Sequence, residues 1–206
     1  MLKRLGSASG LWFGLTLGAI AVCTWLGPAE RTLGSQVRVV YLHGAWVWTA
    51  LAAFLAAGAA GLAGWLTRRD AWHCWSRDLA RTGLFFWISY LPLSLWAMQA
   101  TWNGLYLSEP RWRLALAFSI AGLLLQTGLH LIGNLRLISL GNLAYIIVLI
   151  MALLGTENVM HPASPILTSD AWQIRLYFFG LLALTLLAAA QLARFFQRLA
   201  GCRIQA

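Results

Sequence analysis

Two histidines stand where imidazole chemistry would matter. His43 lies in "VRVVYLHGAWVW" (37–48) and His161 in "VMHPASP" (159–165), each among mostly apolar or aromatic neighbours. Neutral imidazole is a good ligand for haem iron, and two such rings on opposite faces of one porphyrin make a low-spin site. The same residues fit a plainer role, because amphipathic rings favour the boundary between lipid and water. His130, in "LLLQTGLHLIGN" (123–134), is an ionisable group inside an apolar run. It either acts there or packs beside Gln126 or Asn134 on the same helix face, and the packing role is the expectation. His73, in "TRRDAWHCWSRDLAR" (67–81), reads as part of an amphipathic segment lying on the membrane surface.

Other chemistries find no matching pattern. Cys23, Cys74 and Cys202 form neither C-x-x-C nor C-x-x-C-H, so neither a zinc or dithiol site nor covalent haem attachment is indicated. They read as small apolar residues. There is no phosphate-binding G-x-x-x-x-G-K-[ST] and no acid–base or nucleophile set for bond-making, so no enzymatic activity is expected.

The elements that must position these residues are membrane helices. The chain of 206 residues is 60% hydrophobic and 10% charged, with a mean hydropathy of +0.71, and the apolar residues fall in long runs. Six segments stand out, at about 10–27, 39–66, 83–100, 114–133, 137–154 and 174–192. The second exceeds the roughly 20 residues a bilayer needs, so it tilts or projects. The first has Lys3 and Arg4 ahead of it, as a signal peptide would, but no small-x-small site precedes Pro28, so a retained helix is expected. With the amino end inside, ten Lys/Arg fall in inner segments and five in outer ones. The positive-inside rule then places both termini in the cytoplasm. The expected fold is all-α: one six-helix transmembrane domain over 1–206, with an outer Trp-containing loop at 101–113 and an outer His-containing loop at 155–173. The net charge of +9 fits loops facing anionic lipid, and no nucleic-acid motif accompanies it.

This orientation brings His43, His161 and the connection "TWNGLYLSEPRWR" (101–113) to one membrane face. Trp46, Trp48, Trp96, Trp102, Trp112 and Trp172 fall near that face, as a headgroup belt or as a shelf for a flat macrocycle. Arg38, Arg111, Arg113 and Arg175 suit either haem propionates or lipid phosphate.

"VRVVYLHGAW", followed four spans later by "VMHPASP", resembles the CcmC-type haem-handling proteins of cytochrome c assembly, whose relatives include the CcsA-type synthases. The resemblance covers nearly the whole chain. That family has six spans in its short form and both termini inside. It has an outer His at the head of span two, another before the last span, and a Trp-rich outer loop between spans three and four. The family loop reads approximately W-G-x-W-W-x-W-D-x-R, where this chain has "WNGLYLSEPR". On that register Trp102 matches the first Trp, Tyr106 a central Trp, Glu109 the Asp and Arg111 the Arg. Leu105 and Ser108 replace two further rings.

The resemblance implies a protein of the bacterial cytoplasmic membrane. It implies non-covalent binding of haem b at the outer leaflet and delivery to an apocytochrome or a haem chaperone, with ABC-type subunits as further partners. His43 and His161 would be axial ligands, Trp102 and Tyr106 platform residues, and Arg111 a propionate partner oriented by Glu109. Two other readings stand beside it. A structural subunit of a larger membrane complex would keep the scaffold without haem. A permease would need broken helices and mid-depth charges, which this chain lacks apart from Pro92.

Overall fold

The computed structural model describes residues 2–157, 159, 166 and 170–200. They form six helices: α1 (Leu2–Leu26), α2 (Val37–Thr67), α3 (Asp70–Trp102), α4 (Pro110–Ile132), α5 (Leu135–Gly155) and α6 (Trp172–Ala200). The all-α expectation holds for these residues. Four helices, α2, α4, α5 and α6, are long and apolar enough to cross a membrane, and α1 adds a shorter apolar stretch at Gly10–Leu26. α3 falls outside that group. Asp70, Arg77, Asp78 and Arg81 polarise its first turns, although it continues unbroken through Pro92.

The ends of these helices follow from local chemistry. Glu109 caps α4 by accepting from the backbone N–H of Trp112 at 2.7 Å, with Pro110 in the first turn. Gly133, at φ +70, ends α4, and Asn134 immediately caps α5 by accepting from Arg136 and Leu137. Between α2 and α3 there are only Arg68, in the left-handed region, and Arg69. A turn this short folds α3 back antiparallel onto α2, and the two pack along most of their lengths.

That hairpin corrects the reading of residues 67–81. They do not form a surface-lying segment. Residues 70–81 are the first turns of α3, and His73, Ser76 and Asp78 are no more than 1% exposed. Small residues on α2 make the room. A Cβ at Gly61 would stand 3.0 Å from the Ser139 carbonyl, and one at Gly64 would stand 2.7 Å from the His73 ring.

Lipid tails give apolar helices little reason to associate, so close packing and interhelical hydrogen bonds must hold them. Side-chain bonds of this kind join many of the neighbours. Trp46 Nε1 donates to Ser89 Oγ at 2.8 Å (α2 to α3), and Thr49 meets Thr185 at 2.7 Å (α2 to α6). Trp87 Nε1 donates to the Ala115 carbonyl (α3 to α4), and Tyr145 Oη to that of Phe118 (α5 to α4). Tyr177 Oη donates to the Cys23 carbonyl, pinning α6 to α1. Between them lies an aromatic core that includes Phe54, Phe86, Trp87 and Tyr145. Trp46 thus belongs to the interior rather than to the belt, whereas Trp48, Trp96 and Trp172 are exposed as belt residues would be. Of the cysteines, Cys74 is disulfide-bonded rather than an inert apolar residue, and Cys23 is a free, half-buried thiol.

A glycine pair tests the packing. Gly64→Ala should destabilise the detergent-solubilised protein by about 1–3 kcal/mol, because the methyl meets the His73 ring. Gly14 has nothing within 4 Å of an added Cβ, so Gly14→Ala should leave the melting temperature unchanged or raise it. Equal melting temperatures for the two variants would contradict the close approach.

Candidate functional site

His43 lies in the second turn of α2 and is half-buried. Its ring packs against that of Tyr90 on α3, with centroids 5.1 Å apart and planes tilted by 45°. Tyr90 is itself 6% exposed, rests on Trp87 at 5.4 Å, and lies near enough to Glu109 and Arg111 to feel both charges. Next to His43, a Cβ at Gly44 would meet Phe178 of α6 at 3.3 Å and Ile166 of the α5–α6 connection at 3.9 Å. The head of α2, the stretch before α4 and Ile166 therefore share one end of the bundle. His161 lies outside the described residues, so its position relative to His43 is not part of this geometry.

The Trp-containing connection is shorter than 101–113. Trp102 closes α3, residues 103–109 form the loop, and Arg111 sits in the first turn of α4. Asn103 takes a left-handed conformation to leave the helix. The Trp102 and Tyr106 rings meet edge to face at 5.8 Å, and Tyr106 is exposed. Glu109 is 3% exposed, and its carboxylate serves the end of α4. Of the other arginines at this end, Arg38 donates to the Gly27 carbonyl and Arg113 to that of Leu107. Arg111 differs: its Nε is buried without a hydrogen-bond partner among the described residues, and so is Nε1 of the adjacent Trp112. Buried donors are normally satisfied, so two on consecutive residues mark a polar spot that nothing among the described residues fills. In the sequence Trp112 reads only as one of the face's aromatics. Its indole N–H was a possible signal in the sequence, but which way it points is a matter of packing.

Tyr41, also on the first turns of α2, is 1% exposed and stacks on Tyr177 at 5.3 Å, with its hydroxyl unpartnered among the described residues. Near it, the α1–α2 connection closes on itself. Glu30 and Gly34 exchange backbone bonds, and the Glu30 carboxylate accepts from the Thr32 and Leu33 amides at 2.8 and 3.0 Å. Those backbone donors hold the Glu30 pKa below its ordinary value.

A second polar cluster occupies the opposite end. His73 Nδ1 and Ser139 Oγ are 2.7 Å apart. Asn142 donates to both the carbonyl and the hydroxyl of Ser76 and accepts from Gln126 at 2.7 Å. His130, expected to pack beside Gln126 or Asn134, has Arg81 of α3 at 3.5 Å, while Gln126 bonds to Asn142 and Asn134 caps α5. The cluster was visible in outline, since 73/76 and 139/142 each place two polar residues three apart on one helix face. Among the described residues, no group of three or more His, Cys, Asp or Glu side chains is arranged to hold a metal ion.

Compared with protein-family models and with curated proteins, the sequence matches none.

Two measurements check this geometry. Glu109→Ala should cost about 1 kcal/mol of stability through the lost cap, whereas Glu109→Gln, which keeps an acceptor oxygen, should cost less. The Glu30 turn gives a pH dependence. A carboxylate with a depressed pKa contributes order above its ordinary pKa and loses it as pH falls through the depressed value. The Thr32 and Leu33 amide resonances should therefore titrate together with a midpoint below that of an ordinary glutamate. A midpoint at or above it would contradict the bonds.

Proposed function

We propose that this protein is a haem-handling membrane protein of the CcmC type. In this reading it crosses the bacterial cytoplasmic membrane six times, with both termini in the cytoplasm and the His43 end at the outer face. Haem b is its non-covalently held cargo, received at the outer leaflet and passed to an apocytochrome or a haem chaperone. Any ATP-driven step belongs to ABC-type partner subunits.

The observation that carries the reading is the pair of donors without a partner among the described residues, Arg111 Nε and Trp112 Nε1, on the turn that flanks the His43–Tyr90 pair. A haem edge presents carboxylates, and a guanidinium is suited to bind them. The face of the macrocycle is apolar, and rings suit it. Arg111 and Trp112 would hold the propionate edge, Trp102 and Tyr106 would support the macrocycle, and His43 and His161 would ligate iron. Glu109 fixes the first turn of α4 and so sets where the donors stand. His43 is only half-buried, which suits a ligand that must exchange with an acceptor's own.

One observation favours the alternative, a structural subunit of a larger membrane complex. Gly10, Gly14 and Gly18 form a small-residue stripe on α1, and among the described residues nothing lies within 4 Å of a Cβ added there. Such stripes let another helix approach closely.

The visible spectrum of the purified protein, after haem titration in detergent, tests the reading. Wild type should show a Soret band that is lost in His43→Ala and in His161→Ala. Arg111→Gln and Trp112→Phe should each weaken haem binding about tenfold, the scale of one charge-assisted hydrogen bond. Full haem occupancy in the double histidine variant would overturn the ligand assignment. No haem in wild type, with stable co-purification of another membrane protein, would favour the structural subunit.

A further inference from the structure

At the end of the bundle away from His43, one buried carboxylate serves two guanidiniums. Asp78 has no side-chain exposure, and it accepts from Arg77 Nε and Nη2 at 2.8 and 2.9 Å. Arg81 Nη1 stands 3.7 Å from the same carboxylate. One negative charge against two positive ones leaves the trio with a net positive charge. Arg77 holds the carboxylate in the bidentate arrangement, so the excess falls on Arg81.

Arg81 is also the more accessible of the two, with its side chain 30% exposed against 12% for Arg77. Its Nη2 reaches α4, 3.5 Å from Nδ1 of the exposed His130. One to two turns before His130, toward the middle of the bundle, α4 presents Leu123 and Leu124 outward, and Leu131 and Ile132 follow at its exposed end. A half-satisfied cation bordered by exposed leucines matches an amphiphile whose anionic group precedes hydrocarbon chains. A free anion would have no use for the apolar border.

We propose that Arg81 and His130, at the junction of α3 and α4, bind the phosphate of an anionic phospholipid whose acyl chains lie along Leu123 and Leu124, toward the middle of α4. Arg81 supplies the charge. His130 supplies a second nitrogen donor from α4, so the headgroup bridges two helices that otherwise meet through contacts such as Trp87 to Ala115. Asp78 and Arg77 are positioning residues: Arg77 occupies the carboxylate, Asp78 draws Arg81 Nη1 inward, and Nη2 is left beside His130 for the lipid. The site does not depend on the haem reading.

Native mass spectrometry of the purified full chain tests it, after incubation with equal amounts of phosphatidylglycerol and phosphatidylcholine of matched chains. Wild type should retain phosphatidylglycerol preferentially. The preference should fall several-fold in Arg81→Gln and in His130→Leu, and persist in Arg81→Lys and in the control Arg113→Gln, at the other end of α4. Arg81 also faces buried Asp78, so Arg81→Gln can fail to fold. His130 is exposed, and among the described residues its side chain bonds to Arg81, so His130→Leu decides the matter by itself. An unchanged preference in folded His130→Leu would overturn the proposal. Displacement of phosphatidylglycerol from wild type by millimolar inorganic phosphate would also overturn it, by showing a site for a free anion.

Discussion

Hydrogen bonds between α3 and α5 at one end of the bundle govern much of the rest. Asn142 ties Ser76 to Gln126, and Ser139 meets His73, so α3, α4 and α5 share one buried polar seam. Polar groups in an apolar bundle cost several kcal/mol each when unpaired, so the helices rotate until these faces meet. Gly61 and Gly64 let α2 come against the same seam, which no side chain there would permit. α3 is thereby held along its length and delivers Tyr90 to His43 at its far end.

The two ends of the bundle treat polar atoms differently. Around Asn142 nearly every donor meets an acceptor within the chain. Around Arg111 and Trp112 two buried donors meet none among the described residues. Buried donors are normally paired, so these two set that end apart from the Asn142 seam. His43, with Tyr90, Phe178 and Ile166 near by, stands at the same end. Trp102 and Tyr106 support each other at the surface, while the two buried donors stand on the first turn of α4.

Much of the architecture was legible in the residues. The second apolar segment, read as 39–66, is α2 at Val37–Thr67, and the fourth, read as 114–133, ends at the Gly133 cap. His43 at the head of α2 and Glu109 and Arg111 beside the 103–109 loop fall at one end of the bundle, as their spacing implied. What was not legible was partner choice. Residues 70–81 alternate charge and aromatic character as a surface segment does, yet they are interior because α2 offers glycines opposite them. Trp46 resembled a headgroup anchor, but Ser89, 43 positions further along, gives its indole a buried acceptor. His130 had suitable neighbours on its own helix and instead faces Arg81 of another.

The sequence by itself determined that the chain is helical and that four of its helices suit a membrane. In hydrocarbon a backbone must satisfy its own hydrogen bonds, so hydropathy and length alone select the helix. Only the tertiary structure decided which polar side chains meet: that Asp78 is buried between two arginines, that Asn142 is shared, and that Arg111 Nε and Trp112 Nε1 find no acceptor among the described residues. Those outcomes depend on the rotation of each helix about its axis and on the closeness its glycines allow. Neither quantity is carried by a local pattern, because each is set by residues tens of positions away.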